Sequence, residues 1–100
     1  MVSQGRRLQG KVAIVTGAGS RGPGVGTGKA TATLFAREGA KVLLVDNVIE
    51  RAEETLASIQ SEGGEASVLE ADVSVEAECR QIVQQAVERY GDLNILFNNV

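Results

Sequence analysis

The chain has 100 residues, of which 43% are hydrophobic, and a formal net charge of −3. This is the length of one modest domain with enough apolar residues for a core, and a mildly acidic chain without a basic cluster predicts neither a nucleic-acid nor a membrane partner. No segment approaches the roughly eighteen consecutive apolar residues of a membrane span, and the arginines near the amino terminus precede no apolar run of signal-peptide length.

Strands and helices alternate along the sequence. Four short runs rich in Val, Ile and Leu predict strands, and three of them are continuously apolar, a pattern typical of strands buried on both faces of a parallel sheet. The stretches between them predict helices, each followed by glycine, the residue best suited to the left-handed conformation that ends a helix. The predicted strands are residues 12–15, 42–45, 66–69 and 93–97, and the predicted helices are residues 27–38, 48–62 and 75–90.

This βαβαβαβ order predicts an α/β fold, the first portion of a doubly wound parallel sheet of Rossmann type. Right-handed crossovers place the strands in the order 3-2-1-4, with a switch point between the first and fourth strands, where such sheets bind ligands. Apolar residues recur every three or four positions along the third helix, which predicts one stripe packed on the sheet. The stripe consists of Val75, Cys79, Ile82, Val83, Ala86, Val87 and Tyr90.

A glycine-rich loop follows the first predicted strand, in the sequence KVAIVTGAGSRGPGVGTGK, and opens directly onto a helix. Glycines let the backbone approach an anion and a helix N-terminus offers unpaired N–H groups, so the loop predicts a phosphate-bearing cofactor. A P-loop fits poorly, because Ala30 stands where Ser or Thr is needed and Pro23 where the first glycine is needed. The dinucleotide fingerprint requires an acidic residue about twenty positions on, and Asp46 follows Gly28 by eighteen residues.

Four motifs in the same order resemble those of the short-chain dehydrogenase/reductase family, from about Leu8 to Val100. RLQGKVAIVTG resembles the opening of the family, AREGAKVLLVD its second strand, ADVS the end of its third strand and FNNV the start of its NNAG motif. The resemblance implies that residues 1–100 are part of an NAD(P)-binding Rossmann domain. It also implies hydride transfer between the nicotinamide and a small alcohol or carbonyl substrate, by a full-length protein that is a homo-oligomer.

The resemblance also implies site residues. Thr16 and Gly17 would begin the TGxxxGxG cofactor loop, Asp46 would select the adenosine ribose, and Asp72 and Val73 would flank the adenine. An asparagine pair would stabilise the fourth strand beside the cofactor. A carboxylate at the ribose disfavours a 2′-phosphate, so we expect NAD to be preferred over NADP. The predicted cofactor-binding residues are Thr16, Gly17, Ser20, Arg21, Gly26, Thr27, Gly28, Asp46, Asp72, Val73, Asn98 and Asn99.

The loop departs from the family pattern by an insertion. Residues 21–25 are five more than the motif has, so its last two glycines are either Gly26 and Gly28 or Gly22 and Gly24. The sequence GKATA after the first pair resembles the start of the family's helix and favours that pair.

Several of these residues also have purely structural interpretations. Asp46 or Asn47 could cap the helix that follows, and Asp72 with Ser74 could cap the third helix, because short oxygen-bearing side chains satisfy free N–H groups there. An asparagine pair at a strand end can form a plain turn, and Arg21 can be a solvated loop residue.

Catalytic residues are not found in this sequence. With no histidine and one cysteine, Cys79, the chain contains no Ser/His/Asp or Cys/His set, no zinc site and no internal disulfide, and we expect a cytoplasmic protein. The family it resembles uses serine with Tyr-x-x-x-Lys, whereas Asn94 stands four residues after the single tyrosine, Tyr90. We therefore expect the cofactor-binding half of an oxidoreductase, truncated before its active site. A non-catalytic dinucleotide-binding module and a P-loop nucleotide-binding protein are the alternatives.

Overall fold

The computed structural model describes residues 7–18 and 26–98, and within them strands and helices alternate as predicted. The elements are β1 (Val12–Thr16), α1 (Thr27–Arg37), β2 (Lys41–Asp46), α2 (Ile49–Ser61), β3 (Glu65–Glu70), α3 (Glu76–Tyr90) and β4 (Ile95–Asn98).

All four strands form one parallel sheet in the order β3-β2-β1-β4, which confirms the predicted topology. β1 lies between β2 and β4, and its last residue, Thr16, is in register with Val45 on one side and Asn98 on the other. The carboxyl ends of these three strands therefore meet at one edge of the sheet, on either side of the switch point.

The two faces of the sheet carry separate apolar clusters, because successive side chains of a strand point to opposite faces. Val15, Val42 and Leu44 pack on one face with residues of α1 and α2, among them Ala32 and Ile59. Ile14, Leu43 and Val45 pack on the other face with Ile82 and Ala86 of α3. This two-sided cover explains why β1 and β2 are continuously apolar.

The predicted apolar stripe of α3 is wider than its contact with the sheet. Ile82 and Ala86 are buried, whereas Val75, Val83 and Val87 are between 41% and 46% exposed. Successive residues of a helix are about 100° apart, so side chains one position beyond 82 and 86 lie on the flank of the helix. The prediction that the whole stripe packs on the sheet was wrong for these three valines.

The fourth strand begins two residues later than predicted. The reason is that the side chain of Asn94, and not a main-chain carbonyl, accepts the hydrogen bond from β1 at this position. Its Oδ1 accepts the Val12 N–H at 2.8 Å, while its own N–H donates to the Val12 carbonyl at 2.9 Å. Leu93 donates its N–H to the neighbouring Asp92 carboxylate at 2.8 Å. Regular pairing with β1 therefore starts at Ile95.

Glycines end the helices in the left-handed conformation, as predicted, with φ of 98° at Gly39, 83° at Gly63 and 85° at Gly91. Gly39 also packs against the segment before β1: a Cβ added there would lie 2.9 Å from the Cα of Gln9. The same addition at Gly63 would meet no atom within 4 Å. Substitutions at both positions therefore have the cost of the left-handed conformation, and only a substitution at Gly39 also has the cost of a close contact.

We expect Gly39→Ala to lower the free energy of unfolding more than Gly63→Ala. Both alanines take on the left-handed conformation, at roughly 1–2 kcal/mol each, but only the one at position 39 collides with main chain that cannot rotate aside. Overpacking of this kind costs about 1–3 kcal/mol in addition. Denaturant unfolding of the two variants measures the difference, and equal losses would contradict a tight contact between Gly39 and Gln9.

Candidate functional site

The predicted site residues of three strands lie at one edge of the sheet. Thr16 ends β1, Asp46 ends β2 and Asn98 ends β4. Gly17 follows directly after β1, where the chain leaves the sheet for the glycine-rich loop. The structure therefore brings the start of this loop, the acidic residue and one asparagine to the switch point.

A side-chain hydrogen bond joins the two strands that flank the switch point. The Thr16 hydroxyl donates to Oδ1 of Asn98 at 2.8 Å, and the Phe97 carbonyl lies farther from the hydroxyl, at 3.4 Å. Thr16 is buried, so its hydroxyl needs such a partner. The contact fixes the end of β1 against β4 immediately before the loop begins.

The loop turns sharply at Gly17 and is held at Ala18. Gly17 has φ of 60°, a left-handed conformation that favours glycine. Ala18 is buried, its N–H donates to the Val45 carbonyl at 3.1 Å, and its carbonyl accepts from the Thr55 hydroxyl at 2.9 Å. The backbone at the start of the loop is thus connected to β2 and to α2.

Thr55 was not among the site residues predicted from the sequence. Its hydroxyl is the polar group among the buried residues of α2, which are Ala52, Thr55 and Ile59. A threonine among the sheet-facing positions of an amphipathic helix was the available signal, because a buried hydroxyl there requires a hydrogen-bond partner.

Helix α1 begins where the loop ends. Its N-cap is Gly26, in an extended conformation, and its first turn contains Thr27, which is exposed, and Gly28, which is buried. That turn has no acidic residue, whereas α2 has one in its first turn and α3 has two. The first turn therefore supplies no carboxylate that would offset the positive end of this helix dipole.

The carboxylate of Asp46 is held at the start of α2. Its Oδ1 accepts the Val48 N–H at 3.0 Å, and the residue is 7% exposed. The N-cap of α2 is Val48, and not Asp46 or Asn47. The main-chain carbonyl of Asp46 accepts the N–H of Ala71, which connects the ends of β2 and β3.

Asp72 organises the turn that leads into α3. Its Oδ1 accepts the Ser74 hydroxyl at 2.6 Å and the Ser74 N–H at 2.9 Å, and these two hydrogen bonds hold the pKa of the Asp72 carboxyl below its usual value. The N-cap of α3 is Val75, and not Asp72 or Ser74. Val73, between them, packs against the apolar cluster of the α3 face, and its carbonyl accepts the Cys79 thiol at 3.0 Å.

Three predicted site residues, Ser20, Arg21 and Asn99, lie outside the described residues, as does the predicted insertion at residues 21–25. Their roles stay predictions.

The single tyrosine serves a structural contact. The Tyr90 hydroxyl lies 2.6 Å from the hydroxyl of Ser67 in β3, and Arg89 donates to the same serine oxygen at 3.0 Å. Tyr90 ends α3, and crossover helices run antiparallel to the strands, so this contact lies away from the carboxyl edge of the sheet.

Within the parts of the chain that the structure describes, no helix has the length and apolar character needed to cross a membrane.

Known proteins resemble the chain along nearly all of its length. It is 48% identical over 92 residues to an uncharacterized oxidoreductase of Thermotoga maritima, covering 92% of this chain and 34% of the relative. A solved protein from Burkholderia xenovorans, described as a short-chain dehydrogenase/reductase, superposes with a TM-score of 0.90 at 45% identity, covering 97% of this chain and 38% of that one. Hydroxysteroid dehydrogenase from Escherichia coli superposes with a TM-score of 0.86 at 37% identity, covering 94% and 38%.

The chain therefore spans about a third of the length of these relatives. The family model of the short chain dehydrogenases matches residues 11–100, which include the four strands of the sheet and the three helices that the structure describes. With this match and the superposed structures, the chain belongs to the short-chain dehydrogenase family.

Proposed function

We propose that the chain is the cofactor-binding part of an oxidoreductase that transfers hydride between the nicotinamide of NAD and an alcohol or carbonyl substrate. The observation that supports this most is the end of β1, where a buried, hydrogen-bonded strand ends in a left-handed glycine, together with the glycine N-cap of the helix that follows in the sequence. A dinucleotide pyrophosphate requires such a turn and such a helix start.

The residues at the loop fit a pyrophosphate. Gly17 has no side chain to keep a ligand from the backbone, and neither have Gly26 and Gly28 at the start of α1. With Thr27 at the first position of the helix and no acidic residue in its first turn, the dipole favours an anion there. We assign the phosphate-binding role to this segment together with Ser20 and Arg21.

The residues at the ends of β2 and β3 suit the adenosine half. The Asp46 carboxylate lies at the end of β2 and can accept hydrogen bonds from ribose hydroxyls. Asp72 and Val73 lie just beyond β3 and would border the adenine, with the half-buried valine as its apolar contact.

The bound dinucleotide would supply the hydride acceptor or donor, and the described residues would bind and orient it. Thr16 and Asn98, joined across the switch point, would hold β1 and β4 beside the cofactor, with Asn99 next in the chain. We assign no proton transfer to Tyr90, since its hydroxyl is engaged with Ser67. We further propose a cytoplasmic, homo-oligomeric full-length protein.

The proposed function predicts that Gly17→Ala weakens dinucleotide binding at least tenfold, whereas Gly63→Ala leaves it unchanged. Both glycines have a left-handed φ, so the backbone strain that an alanine introduces is similar at the two positions, roughly 1–2 kcal/mol. Only the methyl at position 17 occupies the approach of the pyrophosphate. Titration of the full-length protein with NADH, beside thermal melts, measures affinity and folding separately.

We expect the NADH dissociation constant of Gly17→Ala to be at least tenfold larger than that of the wild type, equivalent to about 1.4 kcal/mol. Gly63→Ala should bind NADH with the wild-type affinity. Native NADH affinity in a folded Gly17→Ala protein would show that the pyrophosphate binds elsewhere. A wild-type protein that binds no NADH or NADPH would overturn the function itself.

A second prediction is that NADH binds at least tenfold more tightly than NADPH. A carboxylate about 4 Å from a 2′-phosphate meets roughly 4 kcal/mol of repulsion per charge pair at an effective dielectric of 20. Asp46→Asn removes this charge but keeps an oxygen that can accept the Val48 N–H, so it should narrow the preference while the start of α2 stays intact.

Glu70→Gln is the matched control, because Glu70 ends β3 in register with Asp46 and loses the same charge. We expect Glu70→Gln to keep the wild-type ratio of the NADH and NADPH dissociation constants. Tighter binding of NADPH by the wild-type protein, or an equal change of the ratio in both variants, would argue against Asp46 as the selecting residue.

A further inference from the structure

We propose that Thr55, on α2, is a positioning residue for the dinucleotide-binding loop. This proposal rests on the proposed function, since it concerns the backbone that would approach the pyrophosphate. Its basis is the hydrogen bond from the Thr55 hydroxyl to the Ala18 carbonyl, which joins residues 37 positions apart in the sequence.

The Thr55 side chain has two possible acceptors, and the geometry favours the loop. Thr55 is fully buried, so its hydroxyl must be hydrogen-bonded. A helical threonine ordinarily finds the carbonyl four residues earlier in its own helix. Here the Arg51 carbonyl lies 3.5 Å away, whereas the Ala18 carbonyl lies at 2.9 Å, within the normal range for a hydroxyl donor.

Ala18 is held from both sides as a result. Its N–H donates to the Val45 carbonyl in β2, and its carbonyl accepts from Thr55 in α2, so the peptide units before and after Ala18 are both fixed. The two preceding residues are the left-handed Gly17 and Thr16, which is bonded to Asn98. Of these two hydrogen bonds of Ala18, the one from Thr55 is made by a side chain and can be removed by substitution.

Fixing this segment matters for binding because a loop that is ordered before the ligand arrives does not pay the cost of ordering at that moment. A regular helix is a rigid support for such a contact. Without the Thr55 hydroxyl, the buried Ala18 carbonyl would lose its donor and the loop could shift to find another. Thr55 would thus act on the cofactor through the backbone at Ala18 and without touching it.

The test compares Thr55→Val, which keeps the shape and removes the hydroxyl, with Thr55→Ser, which keeps the hydroxyl. Dissociation constants are measured on the full-length protein for NADH, for ADP-ribose, which contains the pyrophosphate, and for adenosine, which lacks it. We expect Thr55→Val to weaken the binding of NADH and of ADP-ribose by roughly tenfold, equivalent to about 1.4 kcal/mol. Its affinity for adenosine should stay within twofold of the wild-type value. Thr55→Ser should bind all three within about twofold of wild type.

Ile59→Val controls for general destabilisation of α2. Ile59 is a buried residue of the same helix, and its shortening is expected to cost roughly 0.5–1.5 kcal/mol of stability without removing a hydrogen bond to the loop. It should lower the melting temperature and keep the NADH affinity, which supports a specific role for Thr55.

Three results would overturn the proposal. The first is that Thr55→Val binds NADH with the wild-type affinity. The second is that Thr55→Val weakens the binding of adenosine as much as that of ADP-ribose. The third is that Thr55→Ser loses as much NADH affinity as Thr55→Val. A wild-type protein that binds neither NADH nor ADP-ribose is a different result, because it overturns the proposed function and this proposal together.

Discussion

The end of β1 is the constraint on which the rest of the structure depends. This strand lies between two others and is covered on both faces, so the chain must leave the sheet from a buried position and satisfy its polar groups there without water. Asn98 of β4, Val45 of β2 and Thr55 of α2 each satisfy one of these groups. Three elements that are distant in sequence are therefore required to support a segment of three residues.

The support of this segment is also related to the way in which helices cover the two faces of the sheet. Two helices, α1 and α2, close one face, and their contacts place α2 near enough to the loop for the contact between Thr55 and Ala18. On the other face α3 alone packs in the described chain, and Val83, Val87 and Leu96 are exposed by 42–59%. A single helix covers only part of a four-stranded sheet.

Much of the fold could be predicted from the sequence because the signals were local. Continuous apolar runs marked the strands, a glycine followed each helix, and right-handed crossovers left one strand order. Periodicity shows which residues share a helix face but not what covers that face, so the exposure of Val83 and Val87 could not be foreseen. The late start of β4 had a similar cause, because an asparagine side chain substituted for a backbone acceptor.

The candidate site was predictable as far as its residues belong to strand ends. Thr16, Asp46 and Asn98 lie where a parallel sheet brings carboxyl ends together, so strand order alone brought them to one edge. Thr55 could not be found in this way, because its partner is a main-chain carbonyl 37 residues away and no sequence pattern marks a carbonyl. The local hydrogen bonds of Asp72 likewise depend on a turn geometry that the motif ADVS does not specify.

The distribution of charge along the carboxyl edge suits the two halves of a dinucleotide. Asp46 ends β2, and under the proposed function its carboxylate would accept hydrogen bonds from the hydroxyl groups of a ribose. The first turn of α1 has no acidic residue, so no carboxylate of that turn offsets the positive end of the helix dipole. An anion and a set of hydroxyl donors thus have separate positions along one edge. Under the proposed function, the Asp46 carboxylate would also oppose a ligand with an additional phosphate on the ribose, because two negative charges would then lie close together.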